Sequence, residues 1–132
     1  RDKWAEGPRS FLGLSSSGFP NLFTITGPGS PSVLANMIPG IEQHVNWISE
    51  CLDYMRRNGH ASIEATKEAE EPWHLRVQEL ANQTLWNACD NWYHGANIPG
   101  KPRVFMPYVD WVDYVDQCEQ VVQDSYRGFT LS

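Results

Sequence analysis

Residues 18–32, running Gly18-Phe19-Pro20-Asn21-Leu22-Phe23-Thr24-Ile25-Thr26-Gly27-Pro28-Gly29-Ser30-Pro31-Ser32, constrain the fold more than any other stretch. A short apolar run from Leu22 to Ile25 stops at a Gly/Pro turn, and a long amphipathic segment follows it. The pattern predicts a strand over Asn21–Thr26, a glycine turn, and then a helix start. That order lays an anionic or electron-rich edge of a ligand against the free N–H groups of a helix N-terminus. Gly27 and Gly29 occupy two positions of a dinucleotide fingerprint, with Ser32 where a third glycine would stand. A plain structural turn fits the same residues, so both readings remain open at this point.

Three helices follow from periodicity. From Ile41 the apolar positions run Ile41, Val45, Ile48, Leu52, Met55, with Trp47, Cys51 and Tyr54 as a second stripe beside them. Pro39-Gly40 is expected to kink this helix near its start or to separate a short first turn from its main body, and Asn58-Gly59 after Arg56-Arg57 to end it. A second helix has Thr66 as N-cap, Glu68, Glu70 and Glu71 as a solvated acidic start, and the stripe Trp73, Val77, Leu80, Thr84. Pro72 either kinks it or marks its true first turn. The third helix carries Trp111, Val115, Cys118 and Val122, stops at Gly128, and leaves Phe129 and Leu131 as a tail. Turns are expected around a short apolar run at Phe11 to Leu14. Val104-Phe105-Met106 is a candidate second strand inside the long stretch from Asn87 to Tyr108.

The expected fold class is therefore α+β and predominantly α-helical, with three main helices and one or two short strands. A lone strand leaves its backbone groups unpaired, so the sheet is expected to be part of a larger one, or to pair with another copy of the chain as a homodimer. The chain opens at Arg1 rather than at methionine, which agrees with the expectation of a piece of a longer polypeptide.

At 132 residues and a net charge of −6, one core is expected, with neither a basic stripe for nucleic acid nor an apolar run long enough for a membrane. No leader for secretion is evident, and the three cysteines (Cys51, Cys89, Cys118) are read as small buried hydrophobes in a reducing, cytoplasmic setting. His44, His60, His74 and His94 lack metal-ligand spacing, so no metal site is expected, and no serine forms a hydrolase triad. Two features rise above this background: the glycine turn, and Trp92-Tyr93-His94-Gly95-Ala96-Asn97-Ile98-Pro99-Gly100-Lys101-Pro102-Arg103. The latter gathers aromatics, an amide and cations in one loop. Such a set suits a flat, negatively charged cofactor, with Trp92 over a ring and Lys101 and Arg103 near phosphate. It also suits a surface loop whose tryptophan plugs a core.

Together these segments resemble the C-terminal part of Baeyer–Villiger monooxygenases, class B flavoprotein oxygenases, in the phenylacetone and steroid monooxygenase branch. Gly18–Phe23, Gly27–Ser32, Ile41–Val45 and Trp92–Arg103 carry the resemblance, and Val104–Met106 and Tyr126–Phe129 fit it. It implies a larger FAD- and NADPH-dependent oxidoreductase. That enzyme would insert one atom of molecular oxygen next to a ketone carbonyl, giving an ester or lactone. The upstream FAD and NADP domains would be this segment's partners.

Carried over by position, Ser32, Val33 and Leu34 would line the substrate pocket. Gly27 and Pro28 would lie on the cofactor side of the turn, with Asn36 and Met37 where a helix N-terminus approaches the flavin. Trp92 and Lys101 would belong to a mobile control loop over the nicotinamide cofactor. The implied layout is the last strand and glycine turn of the FAD domain over 1–30, helices over 31–86, the control-like loop over 87–108, and the final helix and tail over 109–132. No complete Gly-x-Gly-x-x-Gly, no Phe-x-Gly-x-x-x-His-x-x-x-Trp signature and no catalytic arginine is carried, so the segment alone is expected to be inactive. Asp110-Trp111 stands where relatives show a glycine pair. Pro39 and Pro72 also depart from the family's helical segments, while Asp110 suits a helix cap. The alternatives are a free-standing helical interaction module without catalysis, and a flavin monooxygenase that oxidises nitrogen or sulfur.

Overall fold

The computed structural model describes residues 2–32 and 35–132. Helix α1 spans Met37–Asn58, strand β1 Ile63–Ala65, helix α2 Lys67–Asn82, helix α3 Trp111–Gln123 and strand β2 Phe129–Leu131. Short 3-10 turns cover Asp2–Trp4, Leu85–Ala88 and Trp92–His94. This is the expected helix-dominated α+β arrangement.

Each helix begins at a side-chain cap. Asn36 accepts from the Ile38 N–H at 3.1 Å, Thr66 from Ala69 at 3.2 Å, and Asp110 from Asp113 at 3.1 Å. At the far end of α1, Gly59 takes the left-handed conformation (φ 73°) and donates to the Met55 carbonyl, as the Asn58-Gly59 pair predicts. α1 runs as one continuous helix through Pro39 and Gly40, with no separate first turn. Pro39 is the third residue of α1, where the backbone N–H has no partner within the helix, so nothing is lost there. Pro72 does lie inside α2 rather than at its start. The bond it forgoes belongs to the carbonyl of Glu68, an exposed residue that water can serve.

The strands are not where the apolar runs pointed. Neither Asn21–Thr26 nor Val104–Met106 forms a strand; the sheet is β1 antiparallel to β2, with Ile63 opposite Leu131 and Ala65 opposite Phe129. Left-handed residues at Asn21 (φ 58°) and Thr26 (φ 54°) break the first run. Its backbone is satisfied inside the molecule: Asn21 N–H donates to Ile63 O at 2.9 Å and Thr24 N–H to Leu14 O at 2.8 Å. The open strand edge that motivated pairing with a second copy is therefore not present here.

The core is built on aromatics. Trp73 stacks on Tyr108 with centroids 4.8 Å apart and meets Phe11 edge-on at 6.1 Å, while Trp47 packs against Tyr126 and Phe129. This selects which stripe of α1 faces inward. Gly40, His44, Trp47, Cys51 and Met55 are buried, whereas Ile41, Val45 and Leu52 of the expected core stripe remain 38–45% exposed. On α3 the inward residues are Tyr114, Cys118 and Val121, with Trp111, Val115 and Val122 half-buried beside them. Gly128 (φ 95°) closes the turn before β2, where a Cβ would stand 2.6 Å from the Phe11 ring.

Two local expectations need correction. Glu70 is buried rather than solvated: it accepts from the Ser17 N–H at 3.1 Å and from Lys3 Nζ at 2.6 Å. Cys89 is exposed, while Cys51 and Cys118 are buried, and burial pushes their thiols up to about 11 and about 12 respectively. No described helix is long and apolar enough to cross a membrane.

Candidate functional site

The glycine turn is packed and internally bonded. Gly27 is buried, and a Cβ there would meet Gly13 O and Thr24 Oγ1 at 2.5 Å each. Its carbonyl accepts from the Ser30 N–H at 3.1 Å and the Ser30 hydroxyl at 2.7 Å. The Pro28 carbonyl accepts from the Ser10 hydroxyl. The Gly29 N–H donates to Met106 O at 2.6 Å, and its carbonyl accepts from Trp73 Nε1 at 3.1 Å. The N–H groups of Gly29 and Ser30 are thus committed within the fold. Among the described residues no α-helix follows it directly: α1 begins ten residues after Gly27, at Met37.

Asn36 and Met37 stand at the start of α1, Asn36 exposed and Met37 half-buried. Ser32 is half-buried with a left-handed backbone (φ 45°), and Val33 and Leu34 lie outside the described residues.

The loop over 87–108 is folded around one ring. Phe105 is buried, and the rings of Trp86, Tyr93 and His94 surround it at 6.4, 6.5 and 5.2 Å. Trp92 takes no part in that cluster's interior and stays 64% exposed. Trp92 therefore does not plug the core. Trp92, Pro28 and Lys101 share one cavity of about 600 Å³, walled also by Trp4, Ile98 and Met106. Lys101 Nζ lies 3.3 Å from Trp4 O and 3.4 Å from Ala5 O, tying the loop to the start of the chain. Arg103 is held instead by Asp90 at 3.3 Å and Gly95 O at 3.2 Å. An apolar cleft with an exposed indole at its edge and one ammonium is suited to a planar ring bearing an anionic group. Ser32, Gly27, Asn36 and Met37 do not line it.

Two polar clusters were not legible from spacing. His44 is 1% exposed; its Nδ1 accepts from the Thr26 N–H at 2.9 Å, so Nε2 carries the proton and donates to Tyr114 Oη at 2.7 Å. Tyr114 in turn donates to Leu12 O at 2.7 Å. Burial holds the His44 imidazole down at about 4, so this relay works with a neutral ring. It pins the end of the 21–26 run to α1 and α3. The second cluster joins α2 to α3. Arg76 donates to Tyr108 Oη at 2.7 Å and to Asp113 at 2.8 Å, and Tyr108 donates to Asp113. Burial raises the Asp113 carboxyl, but the hydrogen bonds from Tyr108 and Arg76 outweigh it and hold the group below the usual range. A histidine or tyrosine within an amphipathic stripe is the only trace these clusters leave in sequence.

No family model matches the chain. It is similar to cyclohexanone 1,2-monooxygenase of Acinetobacter sp., 38% identical over 132 residues, which covers 99% of this chain and 24% of that protein. Acetone monooxygenase of Gordonia sp. (strain TY-5) is 39% identical over 99% of this chain and 25% of its own length. Phenazine N-monooxygenase of Lysobacter antibioticus is 36% identical over 97% of this chain and 24% of its own length. Among solved structures, cyclohexanone monooxygenase from Rhodococcus sp. Phi1 bound to NADP+ superposes with a TM-score of 0.93 at 42% identity, over 99% of this chain and 24% of that one. Steroid monooxygenase bound to NADP gives 0.89 at 42% identity, over 97% of this chain and 23% of that one. The chain thus spans about a quarter of the length of the relatives it matches, over its whole described fold. The chain fits as a C-terminal segment of the Baeyer–Villiger monooxygenases, a fragment of a larger fold.

Proposed function

We propose that the full-length protein is an FAD- and NADPH-dependent monooxygenase that inserts one atom of molecular oxygen next to a ketone carbonyl, releasing an ester or lactone. The observation that carries this reading is the fit of the whole segment, at a TM-score of 0.93, to a cyclohexanone monooxygenase bound to NADP+. The residues present suit that cofactor: Trp92, Pro28 and Lys101 open on one cleft. There Trp92 would lie against a ring and Lys101 would balance phosphate charge. Bound flavin and nicotinamide would supply the redox chemistry. This segment would orient the nicotinamide cofactor and keep water from it. The α1 N-terminus at Asn36 and Met37 would set its positive end toward the flavin. Ser32, Val33 and Leu34 would border the ketone.

The layout proposed is turn and flavin-facing edge up to residue 30, helices to 86, cofactor loop over 87–108, and the α3 packing element beyond. Upstream dinucleotide-binding domains, rather than a second copy, are the proposed partner for the exposed Ile41, Val45 and Leu52 face. The segment alone has no catalytic residue assigned and would be inactive. A cytoplasmic setting suits its free cysteines and its need for NADPH.

A second reading, N-oxidation, is favoured by one observation, the 36% identity to phenazine N-monooxygenase. The full-length protein, given NADPH with a cyclic ketone, a sulfide and a phenazine in parallel, decides between them by product mass. Lactone as the main product supports the proposal. N-oxide with no lactone replaces it with the second reading.

A further inference from the structure

The run over 104–108 is bonded on both sides. Toward the loop, Val104 N–H donates to His94 O at 3.3 Å and Met106 N–H to Tyr93 O at 3.0 Å. Toward the glycine turn, Met106 O accepts from Gly29 N–H at 2.6 Å, and Tyr108 N–H donates to Ser30 O at 2.8 Å. One residue of α2 grips the middle of this run. Gln78 Nε2 donates to Phe105 O at 2.7 Å, and Phe105 N–H donates back to Gln78 Oε1 at 3.2 Å. The side-chain amide thereby reproduces the paired exchange that a neighbouring strand would give, at a point where the chain offers no strand. Phe105 is also the residue on which Trp86, Tyr93 and His94 pack, so its position sets theirs. Trp92 directly precedes Tyr93 and His94. Gln78 itself does not line the Trp92 cavity.

We propose that Gln78 is a positioning residue for the cofactor loop: by pairing with the main chain of Phe105 it fixes the run over 104–108, and with it the posture in which Trp92 and Lys101 meet the nicotinamide cofactor. The inference rests on the reading of the Trp92 cavity as a cofactor site. A loop held open at this point must be ordered at the cost of binding, so losing the pair weakens cofactor affinity without touching the reacting atoms.

The test uses the full-length enzyme and Gln78→Met, which keeps length and volume and removes both hydrogen bonds. The KM for NADPH is expected to rise about tenfold, the equivalent of one net hydrogen bond or slightly more. The kcat at saturating NADPH, the KM for ketone and the bound flavin should stay within about twofold. Amide exchange over 92–106 should quicken about tenfold, with α3 unchanged. An unchanged KM for NADPH together with unchanged exchange overturns the proposal. So does a parallel fall in kcat, flavin content and α3 protection, which marks a merely structural residue. If the unmodified enzyme binds no NADP+, the cofactor reading fails, and faster exchange over 92–106 in Gln78→Met still judges the grip on the loop. If Gln78→Met does not accumulate, exchange in the unmodified enzyme decides. Phe105 and Met106 amides protected like those of α2 support the grip; exchange as fast as residues 96–103 overturns it.

Discussion

His44 shows how one buried side chain couples a loop to acidity. With the ring neutral, both nitrogens are used, one accepting from Thr26 and one donating to Tyr114. Protonation would place a second N–H against the Thr26 N–H and lose that bond. The ring titrates at about 4 in the fold against 6.5 when unfolded. The unfolded chain therefore takes up the proton first. His44's contribution is fully present above pH 6.5 and is lost as pH falls toward 4, with a loss on the order of 3 kcal/mol. A urea midpoint measured from pH 7 to pH 4 should fall accordingly, and the fall should be shallower in His44→Gln. An equally steep fall in that variant would place the acid sensitivity elsewhere. The Arg76–Tyr108–Asp113 cluster makes a separate claim. Tyr108→Phe removes two of its hydrogen bonds and keeps the stack on Trp73, so it should cost about 1–2 kcal/mol in chemical denaturation. The same change made in an Asp113→Ala background should cost measurably less.

At the scale of elements, what could be read from sequence was what leaves a periodic or capping mark. Thr66, Asp110 and Gly59 set helix ends that their side chains or backbone freedom account for directly. The strands left no such mark, because three-residue strands are too short to alternate and Phe129–Leu131 looks like any apolar tail. Leu22–Ile25 does look like a strand, yet the left-handed residues Asn21 and Thr26 and the bonds to Leu14 and Ile63 hold it as an irregular strap. On α1 two apolar stripes compete. Trp47, with more ring surface to bury against Tyr126 and Phe129, turns its own stripe inward. The grip of Gln78 on Phe105 had no legible signal, since an amide bonded to main chain imposes no spacing. Gly128 gives the sharpest element-level test. Gly128→Ala puts a Cβ 2.6 Å from Phe11 and 2.9 Å from Ala69 at φ 95°, and should destabilise by more than about 2 kcal/mol. Asp110→Ala loses only a cap and should cost about 1 kcal/mol. Comparable losses for the two would mean that the β2 turn relaxes freely.

Across the whole molecule, the segment reads as one side of something larger. Its aromatic core is buried, while Ile41, Val45 and Leu52 present an apolar stripe that stays 38–45% exposed. Introducing charge there separates fold from assembly. Val45→Asp should leave the helix content of the 132-residue chain unchanged within error, because the position is exposed. The same change should lower the melting temperature and flavin content of the full-length protein, where that stripe would be covered. A full-length protein indifferent to Val45→Asp would remove α1 from the interface.

The most direct measurement is oxygen transfer itself: full-length protein, NADPH, cyclohexanone and isotopically labelled molecular oxygen, with the product analysed by mass. Lactone carrying a single labelled atom, formed in step with NADPH consumed, is the expected result. NADPH consumed with no oxygenated ketone product, or none consumed at all, would contradict the assignment of this segment to a working Baeyer–Villiger monooxygenase.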